Sequence, residues 1–192
     1  MPVGIIDERT DQLLRVTENA LARAISAGRE GRRVGDICAE IEDEARRSGF
    51  SVVREFVGHG VGRKMHEEPQ IPNYGKRGSG PKLKAGMTLA IEPMINIGTS
   101  DVRLLDDGWT VRTADGMPSA HFEHTVLITK DDPEILTWDP RPDQARLRIR
   151  AASQSRGEPH LSGQYRSSDC LLRSEEDDED VRLMSGFLAR PW

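Results

Sequence analysis

Nowhere in its 192 residues does the chain carry an apolar run approaching the roughly 18 residues that span a bilayer. Its N-terminus, Met-Pro-Val-Gly-Ile-Ile-Asp-Glu, has neither the basic segment nor the apolar core of an export signal. No membrane partner is expected. Cysteine is scarce: Cys38 and Cys170 are far apart and lack C-x-x-C spacing, so neither a disulfide framework nor a thiolate zinc site is implied. A reducing cytoplasm is the expected location. A basic excess is also missing. The 27 Lys and Arg are outnumbered by 32 Asp and Glu, giving a net charge of -5 and a pI near 5.6. Nucleic acid and anionic lipid both require a basic face, so neither is an expected partner. Apolar residues are only 36% of the chain and charged residues 31%, with a mean hydropathy of -0.58. The length suffices for one domain core, but this composition predicts that part of the chain stays unpacked. No repeat at a solenoid period is present.

What is there begins with helical periodicity. Leu13, Leu14, Leu21, Ala24 and Ile25 recur at helical spacing between Asp7 and about Ala27, and Gly28 is placed to end the helix. A second amphipathic helix is predicted from about Val34 to Arg47, with Val34, Ile37, Cys38, Ile41 and Ala45 on one face and Ser48-Gly49 as its stop. Short β-branched or apolar runs follow: Ser51 to Val53, Met87 to Ile91, Trp109 to Val111, Phe122 to Thr129 and Glu134 to Thr137. Gly, Pro, Asn and Asp clusters separate them. The order is two helices and then an antiparallel β region, an α+β fold. Beyond Trp138 the chain turns to Arg, Ser, Gln and Gly, then to the acidic run Glu175 to Asp180, so residues 140–192 are expected to be a disordered polar tail beside a domain of residues 1–139.

Four of the five histidines fall between Val57 and Thr125, and two carboxylates lie near them in apolar surroundings. His59 sits in Gly58-His59-Gly60-Val61-Gly62, where glycines let backbone approach closely. Glu92 ends the run Leu89-Ala90-Ile91 and precedes Pro93, while Glu123 stands in His121-Phe122-Glu123-His124-Thr125. A carboxylate set among such strands is costly to ionise unless paired or bound to a cation. A divalent metal held by imidazole and carboxylate relieves that cost for both acids. Singly, each residue has a plain structural reading: His59 as a loop histidine, Glu92 as a strand-end acid paired with Arg54 or Arg103, and Glu123 as a member of a buried ion pair. Together they are harder to attribute to packing. A glycine-flanked histidine, a second histidine seven residues on, and two acids 31 residues apart point to a metal site.

The segments Gly58-His59-Gly60-Val61-Gly62-Arg63, His66-Glu67-Glu68-Pro69, Ala90-Ile91-Glu92-Pro93-Met94, Asp107-Gly108-Trp109-Thr110 and Phe122-Glu123-His124-Thr125 resemble, in order and spacing, the second half of type I methionine aminopeptidases. The resemblance spans about residues 3 to 138. It implies the C-terminal half of a pita-bread fold, with two helices packed on an antiparallel sheet. The first two segments also resemble prolidase-like relatives, but the short interval from Glu92 to Glu123 with Asp-Gly-Trp-Thr between favours the methionine enzymes. By this resemblance His59, Glu92 and Glu123 are three of five ligands of a dinuclear centre, with Glu123 bridging. Cobalt, manganese, iron and zinc all accept such ligands. His66 is implied to hydrogen-bond the substrate amide and steady the tetrahedral intermediate, and Glu92 to accept or shuttle the proton of the attacking water. Trp109 is implied as a wall of the methionine pocket. Met65 stands where the family often has an aromatic residue, which would reshape that pocket. His121 and His124 are read as strand residues or supports for the ligands rather than as ligands.

The implied activity is metal-dependent removal of methionine from the N-termini of peptides and nascent chains. The family's two aspartate ligands precede the first helix, and the chain is expected to begin after them; Asp7 reads as an N-terminal helix residue. Two divalent cations need about four negative charges, and Glu92 and Glu123 supply two, so at most one cation is expected here. A partner chain completing the half-fold is one expectation that follows. A non-catalytic binding protein or decayed pseudoenzyme is one alternative reading, and a prolidase-like dipeptidase is another.

Overall fold

The computed structural model describes residues 4–137 and the backbone of Cys170–Leu172. Helix α1 spans Glu8–Ala27, and it starts where it does because Asp7 caps it. The Asp7 carboxylate accepts from the Thr10 backbone N–H at 2.9 Å and from the Thr10 hydroxyl at 2.5 Å, which satisfies a donor that the first turn leaves open. Those bonds, the hydroxyl's foremost, hold the Asp7 carboxyl below its ordinary value. Leu13, Ala20 and Ala24 on the inner stripe of α1 are fully buried. Helix α2, Val34–Arg47, is anchored by Asp36, whose carboxylate accepts from the Arg33 N–H at 2.9 Å, and Arg46 and Arg47 sit in its last turn, where cations complement the helix dipole. Ser48 caps α2, and Gly49 follows at φ 73°, the left-handed region that favours glycine. The boundaries expected from periodicity hold for both helices.

The β region is richer than the sequence suggested. Ser51–Val52 (β1), Thr88–Ile91 (β4), Val111–Thr113 (β7), His124–Leu127 (β9) and Glu134–Ile135 (β10) fall in or beside expected runs. Val57–Gly60 (β2), Glu67–Pro72 (β3), Met94–Asn96 (β5), Val102–Leu104 (β6) and Ser119–His121 (β8) were not anticipated. One sheet has the order β10-β9-β4-β2-β3 and another β1-β5-β8-β11, where β11 is Cys170–Leu172; β6 and β7 form a separate hairpin. Every pairing is antiparallel. The tail expected to be disordered otherwise lies outside the described residues. Its β11 backbone pairs with β8, a strand where none was expected, on an edge whose N–H and C=O groups would otherwise lack strand partners.

The two helices cover the sheets, and the core between them gathers Leu13, Ile37, Ile41, Leu89, Ile91, Ile95 and Val126, each nearly or fully buried. No described helix is long and apolar enough to cross a membrane. The core accounts for two expected outcomes. Leu13→Ala removes a fully buried side chain and should cost about 2–5 kcal/mol, read from the urea midpoint; a loss under ~1 kcal/mol would contradict this packing. Burial pushes the Cys38 thiol up to about 12, and the thiolate is the reactive form. Iodoacetamide at pH 8 should therefore leave Cys38 unmodified until urea unfolds the chain, as read by peptide mass spectrometry.

Candidate metal centre

Strands β4 and β5 are nearly continuous, interrupted only at Glu92-Pro93, and β8 and β9 are interrupted at Phe122-Glu123. The two lie side by side: Ile91 pairs with His124 on one side of the break and Met94 with His121 on the other. Pro93 has no N–H to give the ladder, and across the gap only a long bond remains, Phe122 N–H to the Pro93 carbonyl at 3.4 Å. The chain therefore passes from one sheet to the next at the same level in both strands. Glu92 and Glu123 occupy that crossing. Buried Asn73 braces it: its amide donates to the carbonyls of Val53 at 3.1 Å and Phe56 at 3.3 Å, and its oxygen accepts from the Met94 N–H at 3.4 Å.

His59 arrives from the neighbouring strand, where β2 pairs His59 with Ala90. Its flanking glycines are required by strand contact. A Cβ on Gly58 would stand 2.5 Å from the Ala90 carbonyl oxygen, and one on Gly60 would fall onto the Glu68 carbonyl of β3. The expected role of these glycines, letting backbone approach closely, is realised between strands. His59 Nδ1 lies 2.9 Å from the Gly60 carbonyl oxygen. A carbonyl only accepts, so Nδ1 donates, and Nε2 of the neutral ring is left as an acceptor. That Nε2 faces Glu92 Oε1 at 3.5 Å.

On the other side of the same carboxylate, His121 Nε2 stands 3.6 Å from Glu92 Oε2. It is buried, with no hydrogen-bond partner among the described residues. Donor atoms of Glu92, His121 and Glu123 all lie within 4.8 Å of one another. Burial raises the Glu123 carboxyl above its ordinary value, the Glu92 charge adds to the rise, and His121 and His59 oppose it. Two carboxylates and the His121 imidazole thus converge, and His59 stands beside Glu92. A cation relieves this arrangement, so the residues present fit a divalent metal. Glu92 does not pair with Arg54, which instead meets Glu42 at 3.4 Å and lies 4.2 Å over the Tyr74 ring.

The other expected site residues are less gathered. The His66 ring meets His59 edge-on with centroids 4.3 Å apart. Met65 and Trp109 are both exposed. Trp109 stands in the turn between β6 and β7, which Asp107 holds by accepting from the N–H groups of Trp109 at 2.9 Å and Thr110 at 2.8 Å. His124 faces away from the acids, with Nδ1 2.8 Å from the Thr137 hydroxyl, and burial lowers its imidazole below the ordinary value. It lines a cavity of about 340 Å³ with Leu21, Ile25, Arg29 and Ile135. That cavity contains none of His59, Glu92 or Glu123.

The model of metallopeptidase family M24 matches residues 1–130. The chain belongs to this family. It is 55% identical over 135 residues to a methionine aminopeptidase of Clostridium perfringens, covering 70% of this chain and 54% of that protein. The crystal structure of methionine aminopeptidase from Thermotoga maritima superposes with a TM-score of 0.70 at 52% identity, covering 71% of this chain and 55% of that one. A prolidase from Pyrococcus furiosus superposes at 0.56 with 25% identity, covering 72% of this chain and 35% of that one. The chain spans about half the length of the curated methionine aminopeptidases it matches. The pita-bread architecture and the methionine-aminopeptidase resemblance are both borne out by these likenesses.

Because β2 and β3 touch at Gly60, Gly60→Ala should cost about 1–3 kcal/mol through overpacking and displace His59. Urea denaturation measures the first effect, and an unchanged midpoint would contradict the close contact.

Proposed function

We propose that the chain carries the C-terminal share of a metal-dependent aminopeptidase site that releases methionine from the N-termini of peptides and nascent chains. The observation that carries this reading is the Glu92 carboxylate set between two imidazole nitrogens, with Glu123 beside it. The greater likeness to methionine aminopeptidases than to a prolidase, 55% identity against 25%, supports the substrate class.

His59, Glu92 and Glu123 would hold the metal, whose identity among cobalt, manganese, iron and zinc follows from availability. When bound, a divalent cation supplies Lewis-acid activation of water and of the peptide carbonyl. The chain's own groups do the rest. Glu92 would take the proton of the attacking water on a carboxylate oxygen. His66, set against His59, donates to the oxygen on which negative charge develops. Exposed Met65 and Trp109 offer apolar surface to the methionine side chain. Glu92 and Glu123 together offset the charge of one divalent cation, so a second would require further carboxylates.

Glu123→Ala tests the reading. The purified chain should bind a divalent cation in titration calorimetry, and the substitution should weaken it by more than about 100-fold, since even groups behind the ligands cost about 10–100-fold. Any methionine release from a Met-Ala peptide should vanish with it. Unaltered cation affinity in Glu123→Ala, or no binding by the parent chain, would contradict the proposal.

A further inference from the structure

We propose that His121 is itself a metal ligand, its Nε2 joining Glu92 Oε2 and Glu123 around a cation and so adding an imidazole to the trio of His59, Glu92 and Glu123. The inference rests on the reading of the site as a metal centre and adds a ligand to it.

Three observations carry it. The first is distance. Nitrogen and oxygen ligands sit about 2.0–2.2 Å from a transition-metal ion such as zinc, so two neighbouring donors around one ion stand about 3–3.5 Å apart. His121 Nε2 and Glu92 Oε2 are separated by 3.6 Å, too long for a hydrogen bond and close to that span. The second is the state of the nitrogen. His121 Nε2 is buried and makes no hydrogen bond among the described residues. A buried polar atom without a partner is costly unless something meets it. The third is the register. Met94 pairs with His121 and Ile91 with His124, so His121 lies immediately beyond the break that holds the acids. His124, on the other side of the break, has its Nδ1 on the Thr137 hydroxyl. The sheet presents one of these two histidines to Glu92.

The donor chemistry agrees. One imidazole and two carboxylates form a neutral complex with one divalent cation, and this set suits manganese, iron, cobalt or zinc. The two oxygens of Glu92 face different imidazoles, Oε1 toward His59 and Oε2 toward His121. Glu92 therefore offers one oxygen to each imidazole, and the His121 side is the one at which three donor groups converge. A protonated His121 beside Glu92, an ion pair with side-chain exposures of 31% and 9%, is the arrangement that needs no metal.

Cobalt(II) bound to the full chain separates these possibilities. His121→Gln should weaken cobalt binding by about 10-fold or more and alter the visible absorption of the bound ion, with an unchanged circular dichroism spectrum as the folding control. His121→Cys should add a thiolate-to-cobalt charge-transfer band absent from the parent chain, a signature that a structural role for position 121 cannot produce. If Glu123→Ala abolishes binding while His121→Gln keeps the parent affinity and spectrum and His121→Cys shows no new band, His121 is not a ligand and the metal centre stands without it. If the parent chain binds no cobalt, both the inference and the metal reading fail.

Discussion

Two carboxylates at a break in the sheet, Glu92 buried and Glu123 half-buried, set the terms for this domain. Pro93 denies the ladder an N–H at the level where β4 gives way to β5, and Phe122-Glu123 interrupt the adjacent strands at the same level. Without that interruption the side chains of positions 92 and 123 would continue the pleat. With it, they share one small volume with His59 and His121. The arrangement is unfavourable on its own terms, because desolvation and mutual repulsion both oppose two charges there. A cation turns that repulsion into coordination, and the fold supplies the stiffness that keeps the acids together.

That stiffness is distributed. Leu89 and Ile91 of β4 and Val126 of β9 are buried against the helices on the core side of the break, as is Ile95 of β5 beyond it. Asn73 ties the loop before β2 to the start of β5 through hydrogen bonds to Val53, Phe56 and Met94. Glycine at 58 and 60 lets β2 approach β4 and β3 closely enough for His59 to reach Glu92. The substrate-facing residues named by resemblance are placed differently. Met65 and Trp109 stand on loops with half their surface open, in a chain that spans about half of its curated relatives.

Much of this was legible in the sequence, for local reasons. Both helices announce themselves through capping residues and a 3.6-residue period, signals that need no knowledge of distant contacts. Glu92 and Glu123 stood out because acids are rare in such apolar strands. The strands beside them were harder. Strand β2 reads Val-Gly-His-Gly and β3 contains two prolines, compositions that argue against strands and are overridden by pairing partners far away in the chain. His121 was read as a supporting residue, since nothing local distinguishes it from His124. Only the register of β8 against β5 and of β9 against β4 separates the histidine that faces Glu92 from the one that faces α1.

The central claim is that the sheet break is a metal centre, and locating the ion tests it most directly. Crystals of the full chain grown with manganese should give an anomalous difference peak within about 2–2.3 Å of oxygens from both Glu92 and Glu123. A peak elsewhere on the surface, or carboxylates joined by a shared proton with no ion beside them, would contradict the account.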